Sequence, residues 1–437
     1  VPGVFLLDLL ASRLSGTAQD SFSLVAGAPL VAITFVPCYA VLVALIVRGV
    51  GRLVRPGWHS GGSVPWAVWT CEQFLGNSRK LLFPLYSTIY TRWWLRLLGL
   101  RVGRRTELST AIGLGPLVSL GSAAFVADDV VFNAGRSRGG WLQLEPITVG
   151  DGTFLGNGAL VGGGTHLGGG SLVGVQTTPP RSCPAGTSWF GQPGLEFPRP
   201  ASRADPSRTV EPPRRLVAAR AAMEVLRILL PTTATAALGI AVLASIDGLA
   251  HEFGVIAAAA LTVPVLLAAG ALGALLTMLV KWGLIGRYRP GEHPLWSFFV
   301  WRDEIVNSCQ EMLAGDWLLD LALGTPIVSW YLRLMGAKVG TDVWCDTLTI
   351  TEFEMVSIGD GVAINRRSCI ETHLFHDRVM RIGPIGLGAG VSIGPSTAVL
   401  PDTVLGEGCS VGGRSVVLRG EELPANTRWH GAPVVAQ

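Results

Sequence analysis

Charge is scarce in this sequence. Asp, Glu, Lys and Arg together make up 15% of 437 residues, while 49% are apolar. With a mean hydropathy of +0.45, the chain does not read as a purely soluble globule, and membrane segments are expected. The net charge is only +3, and the basic residues gather at the ends of apolar runs. No nucleic-acid partner is indicated. The seven cysteines form no CxxC pair or other zinc spacing. That suits a reducing compartment and argues against structural disulfides. An initiating Met is also missing. No basic stretch precedes the first apolar residues and no small-residue cleavage site follows them, so residues 1–16 do not read as a signal peptide. They read as the end of an apolar helix in a fragment of something longer.

What is present begins with three runs free of Asp, Glu, Lys and Arg: residues 22–47, 228–246 and 253–280. Each can cross about 30 Å of hydrocarbon as a helix. Arg48, Arg52 and Arg55 follow the first run, Arg214, Arg215 and Arg220 precede the second, and Lys281, Arg287 and Arg289 follow the third. By the positive-inside rule these ends and the long polar segments face the cytoplasm, placing the chain in the cytoplasmic membrane.

Self-similarity organises the rest. "RPGWH" at 55–59 returns as "RPGEH" at 289–293, "WWLRLLGLRVG" at 93–103 as "WYLRLMGAKVG" at 330–340, and "PAGTSWFGQP" at 184–193 as "PANTRWHGAP" at 424–433. Order and spacing are kept, which implies a tandem duplication. The expected domains are a transmembrane helix pair with a truncated first helix at 1–55, and linker helices with a first, degenerate β-helix domain at 56–197. A Pro- and Arg-rich linker at 198–215 leads to a second transmembrane pair at 216–285. Linker helices and a second β-helix domain, the one expected to be catalytic, fill 286–437. Trp66, Trp69, Trp93, Trp94, Trp296, Trp301 and Trp330 cluster in the linkers, as side chains at a headgroup boundary or as ordinary core.

The β-helix expectation rests on a six-residue beat. Val149, Leu155, Val161, Leu167 and Val173 are each followed by glycine, and Leu387, Ile393, Val399, Leu405 and Val411 repeat the beat, with Leu400 replacing one glycine. A period of 3.6 cannot produce this pattern, whereas short strands joined by tight turns can. On these hexads and the closing Gly191–Pro193 and Gly431–Pro433, the sequence resembles the left-handed β-helix acyltransferases of the hexapeptide-repeat superfamily. The alternation of helix pairs with such domains, together with "TEFEMVSIGDG" at 351–361 and "ETHLFHDRVM" at 371–380, is more specific. It resembles the carboxy-terminal region of nonribosomal peptide synthetases typified by epsilon-poly-L-lysine synthetase. The fold class expected is therefore α-helical transmembrane segments plus an all-β part of two tandem left-handed parallel β-helix domains.

That resemblance implies adenylation and thiolation (carrier) domains as partners, in cis or in trans, since neither lies in this chain. It implies a 4'-phosphopantetheine arm as donor, with acyl-CoA as the alternative and no tightly bound cofactor. Hexapeptide acyltransferases are typically trimers, so a third homologous domain completing a pseudo-trimer is a further expectation.

Acyl transfer to an amine needs a base, and Glu371, His373, His376, Asp377 and Arg378 lie within eight residues between two hexad runs. Such an interruption reads as a loop projecting from the coil. His373 is the favoured base, His376 the next, and Glu371 or Asp377 the carboxylate that orients the ring. Shifting by 238 positions sets His373 on Gly135, His376 on Arg138, Glu371 on Asn133, Thr351 on Gly113 and Glu352 on Leu114. The first copy thus lacks every titratable candidate.

Glu352 and Glu354, with Arg378, are candidate substrate-binding residues, the two glutamates otherwise being solvated surface groups. Asp151 and Asp360 read as turn residues, His166 as outward-facing, His59 and His293 as structural, and His430 as a secondary candidate. His373 and His376 are too few to argue for a metal. The function expected is a membrane-anchored acyltransferase or condensation module joining amino acids delivered as carrier-protein thioesters. The rivals are an acyl-CoA-dependent O- or N-acetyltransferase on a membrane-associated substrate, and a non-catalytic scaffold or export channel.

Overall fold

A computed structural model describes residues 24–198 and 204–437. The expected helix within residues 1–16 and part of the 198–215 linker lie outside the described residues. The chain divides into two compact units, one of Val36–Glu211 and one joining the described residues up to Phe35 to Pro212–Gln437. Three helical stretches among the described residues are long and apolar enough to cross a membrane: Ala28–Gly51, Pro206–Phe253 and Val255–Leu284, with mean hydropathies of 2.7, 1.8 and 2.3 over an 18-residue window of each. Membrane association follows from their length and composition.

The continuous helix Arg214–Phe253 has 40 residues, which at 1.5 Å per residue is about 60 Å, twice what hydrocarbon needs. The excess lies at its start, where the charged Arg220, Glu224 and Arg227 are buried in protein. Gly254, at φ 83°, separates it from Val255–Leu284. Phe253 therefore ends one helix rather than starting the next, a glycine being the residue that takes this backbone turn without strain.

In Pro212–Gln437 the six-residue beat becomes three parallel sheets. Leu387 pairs with Leu405 and Leu405 with Leu423; Ile393 pairs with Val411 and Val411 with Trp429; Val399 pairs with Val417. Partners lie three hexads apart, so each coil has three sides. The inward residues Ile393, Val399 and Leu405 are fully buried, and each such side chain contributes roughly 1.5–3 kcal/mol of transfer free energy. Threonines seal the corners: Thr397 donates to the Gly412 carbonyl at 2.8 Å and Thr403 to that of Leu418 at 3.2 Å.

The Val36–Glu211 unit has the same pattern, with Leu155 against Val173 and Val149 against Leu167. Its last coil is two residues short, because Leu167 pairs with Cys183 and Val173 with Trp189. This shortening accounts for the last two positions of the sequence offset between the halves, from 238 at the hexads to 240 at the closing segments.

The interruption of the hexads is a β-hairpin, not a loop. His373–His376 pairs antiparallel with Val379–Ile382, leaving Asp377 and Arg378 as a two-residue turn with φ 51° and 60°. Positive φ at both central residues is the type I′ turn, whose twist matches its flanking strands. A third strand, Gly291–Pro294 from the "RPGEH" segment, pairs with Val379–Ile382. The other unit builds the same sheet from Gly135–Arg138, Trp141–Leu144 and Gly57–His59, with Gly139 and Gly140 at the turn.

The tryptophans divide between the two roles considered. Trp66, Trp69, Trp93 and Trp330 are exposed, whereas Trp94, Trp296 and Trp301 are core.

Candidate active site

His373 opens the hairpin strand directly after the coil strand Cys369–Ile370. Its Nδ1 lies 3.0 Å from both carboxylate oxygens of Glu352. Glu352 sits in the turn one coil earlier, where Ile350 bridges to Ile370, so stacking of successive coils brings together two residues 21 apart. The Glu352 side chain is fully buried. Thr351 donates to its Oε2 at 2.7 Å and Thr372 at 2.5 Å. Against a carboxylate Nδ1 must carry the proton, which leaves Nε2 as the reactive nitrogen. Among the described residues Nε2 makes no hydrogen bond, and 23% of the side chain is exposed.

Burial alone disfavours a charged imidazole, but the carboxylates of Glu352, Asp303 and Glu371 outweigh it and raise His373 to about 10. Burial likewise pushes Glu352 up, and the imidazolium with the two threonine hydroxyls more than reverses it, leaving the carboxyl below its usual value. The resting site is an imidazolium–carboxylate ion pair, in which Nε2 also carries a proton, and Nε2 becomes the reactive nitrogen when His373 is neutralised.

Glu352 has φ 33° and ψ 59°, a left-handed conformation that is strained for any residue with a Cβ. Such strain costs on the order of 1–3 kcal/mol and persists only where surroundings over-determine it. At the corresponding turn of the other unit a glycine, Gly113 (φ 71°), takes the left-handed position.

The remaining expected site residues take different places. His376 is three residues along the same strand, so it points to the face opposite His373. There its Nδ1 lies 3.5 Å from Asp377. Asp377 and Arg378 are turn residues, and the Arg378 carbonyl accepts from the Leu295 amide at 2.9 Å. Glu371 is buried beside Thr372.

Three expectations are corrected. The carboxylate orienting the ring is Glu352, not Glu371 or Asp377. Neither Glu352 nor Glu354 is solvated, since one is held by His373 and the other by Lys281, whose Nζ lies 2.5 Å from Glu354 Oε1. Lys281 is fully buried, so it is no free flanking charge at a membrane end.

Elsewhere, Asp360 accepts the Thr341 amide at 2.6 Å and Asp151 that of Ser122 at 2.6 Å, both as turn acceptors. His166 is exposed beside buried Leu167. His59 bonds the Arg55 carbonyl at 3.0 Å, His293 stacks on Phe299 at 3.8 Å, and His430 is exposed. Among the described residues no group of three His, Cys, Asp or Glu is placed to hold a metal ion.

Sequence reasoning missed Asp303 and Tyr288. Asp303 is buried, accepts from the Tyr288 hydroxyl at 2.7 Å and from Asn307 at 3.2 Å, and is raised to about 8 by burial and by the charge of Glu352. The signal was available. "WRDEIVNSC" at 301–309 carries acids where "PWAVWTC" at 65–71 carries none.

No protein-family model matches the chain. The delta-poly-L-ornithine synthetase of Acinetobacter baumannii (strain AB307-0294) is 35% identical over 407 residues, which is 90% of this chain and 30% of that protein. The chain thus spans under a third of the length of the curated relative it matches. Among solved structures, a hexapeptide-repeat acetyltransferase from Vibrio cholerae O1 biovar eltor complexed with acetyl coenzyme A is 19% identical over 27% of this chain and 81% of its own, with a TM-score of 0.22. The soybean serine acetyltransferase apoenzyme is 17% identical over 44% and 66%, with a TM-score of 0.24. Likenesses of that size carry no weight, and the β-helix rests on its own strand register. Over nine-tenths of its length the chain is similar to part of a delta-poly-L-ornithine synthetase.

Proposed function

We propose that the chain is a membrane-anchored, amide-forming acyltransferase, the condensation part of a poly-amino-acid synthetase, acting at the His373–Glu352 pair. Under this reading it comprises two tandem copies of a helix pair and a left-handed β-helix domain, the catalytic one at 286–437, facing the cytoplasm. The donor is an amino acid held as a thioester on the 4'-phosphopantetheine arm of a carrier protein. The acceptor is the side-chain amine of a diamino acid such as ornithine or lysine. Similarity to the ornithine polymer synthetase supports the substrate class. The observation that carries the reaction is the carboxylate-backed imidazole with its outer nitrogen unoccupied.

The acceptor nitrogen attacks the thioester carbon, forming the C–N bond, while His373 Nε2 takes its proton. The tetrahedral oxyanion collapses, the C–S bond breaks, and the imidazolium returns that proton to the departing thiolate. Glu352 stays ionised throughout, fixing the tautomer and balancing the imidazolium. A base must be neutral to work. The approach of a cationic acceptor opposes the carboxylates that hold the proton on His373, and so helps empty it.

The test is amide formation by the purified chain in detergent, given ornithyl-loaded carrier protein and free ornithine. Product from wild type, with a loss of about 10²–10⁴-fold in kcat for His373→Ala, is expected. Turnover unchanged in a correctly folded His373→Ala removes the base assignment. Product only with acyl-CoA in place of the loaded carrier overturns the donor.

A further inference from the structure

Glu354 lies two residues beyond Glu352, in the single-turn helix Phe353–Met355 that Glu352 begins. It is gripped from three sides. Lys281, three residues before the end of helix Val255–Leu284, reaches Oε1 at 2.5 Å; the Tyr288 amide donates to Oε2 at 3.3 Å; Gly336, at φ 115°, leaves room where a Cβ would stand 2.6 Å from Oε1. The Lys281 ammonium also lies 3.5 Å from the Trp282 ring centroid. Tyr288 continues the network through its hydroxyl to Asp303.

We propose that the Lys281–Glu354 ion pair is a positioning device for the His373–Glu352 pair, by which the end of a membrane helix holds the strained turn that presents Glu352 to the imidazole. A fully buried lysine is costly unless it is paired, and a buried ion pair is often no more stable than the apolar contact that could replace it. Here the apolar solution stands in the same chain. By the offsets of the repeated segments, Lys281 corresponds to Val47, which is buried, and Glu354 to Pro116. That unit keeps the coil, the hairpin and the third strand without the ion pair. The fold does not require the charges; the half with the imidazole has them. Glu352 also needs an external hold, because its backbone sits in a conformation the residue disfavours.

The inference rests on His373 being the base, so its test has one arm that needs no turnover. Lys281→Met, Lys281→Arg and the paired Lys281→Met, Glu354→Leu variant of the full chain are compared with wild type in three measurements. These are thermal stability, kcat and KM in the ornithyl-carrier assay, and the rate at which diethylpyrocarbonate modifies His373 between pH 6 and 9, read by mass spectrometry. Lys281→Met should lose on the order of 10–100-fold in kcat with KM changed less than about twofold, as expected for misplaced chemistry rather than lost binding. It should also let His373 react at neutral pH, because an imidazole that has slipped from Glu352 no longer keeps its proton. Lys281→Arg should recover part of both. The paired apolar variant should regain stability while kcat and His373 reactivity stay displaced.

Recovery of wild-type turnover and reactivity together with stability in the paired variant overturns the proposal, making the ion pair packing alone. So does a folded Lys281→Met with unchanged reactivity. If Lys281→Met does not fold, the paired variant decides. If wild type makes no amide bond, the assigned reaction fails, and the modification profile still decides the coupling.

Discussion

At the residue scale the site depends on one carboxylate doing two things, fixing the tautomer of His373 and holding its proton. Glu352→Gln keeps the shape and removes the charge. The neutral amide stops raising His373, so the acid limb of the pH–rate profile should move to lower pH while the plateau rate falls at least about tenfold. Measuring kcat from pH 6 to 10 for both proteins checks this, and an unmoved limb with a lowered plateau speaks against the pairing. His376→Ala should differ little from wild type in kcat, because its side chain lies on the opposite face of the strand. A loss as large as that of His373→Ala in the same assay would reverse the choice between the two histidines. The sequence singled out His373 but not the carboxylate that lies against it. Glu352 and His373 are 21 positions apart with no local signal linking them, and only the stacking of one coil on the next brings the pair together.

At the element scale the coil was legible because its period is local. Every position from Leu387 to Val411 predicted to point inward is buried, each set by its own hexad and not by distant contacts. Ile393→Ala should cost roughly 2–5 kcal/mol of stability as a buried aliphatic with no room to collapse. Denaturant midpoints measure it. The hairpin was less legible, since "HLFHDRVM" carries none of the Asn-Gly or Gly-Gly signatures of a type I′ turn. Asp377 and Arg378 adopt positive φ without glycine's freedom. Replacing them by Asn-Gly should therefore raise the melting temperature while leaving the His373–Glu352 spacing intact. A lower melting temperature would mean that the carboxylate or guanidinium contributes more than the turn strain takes away.

For the whole molecule, the same charges set stability and activity against each other. His373 has a folded value near 10, above its ordinary 6.5, so its contribution to stability is complete below pH 6.5 and is lost as pH rises through 10. Asp303, raised from 3.8 to about 8, acts in the same direction and loses its contribution as pH rises through 8. Glu352 acts oppositely. Its lowered value gives stability that is present above 4.5 and lost as pH falls through the folded value. Stability should therefore peak on the acid side of neutrality and decline toward pH 10. Catalysis needs the neutral imidazole and should rise over that same range. Under the proposed reaction the chain would be most active where its second unit is least stable, a conflict that a cationic acceptor would relieve by replacing the lost imidazolium charge beside the carboxylates. Melting curves in detergent from pH 6 to 10 should show the decline in wild type, a shallower slope in Asp303→Asn, and a partial recovery of the high-pH melting temperature when ornithine is added. If ornithine gives no protection at pH 9 and Asp303→Asn leaves the slope unchanged, the buried carboxylates are not what couples this fold to its acceptor.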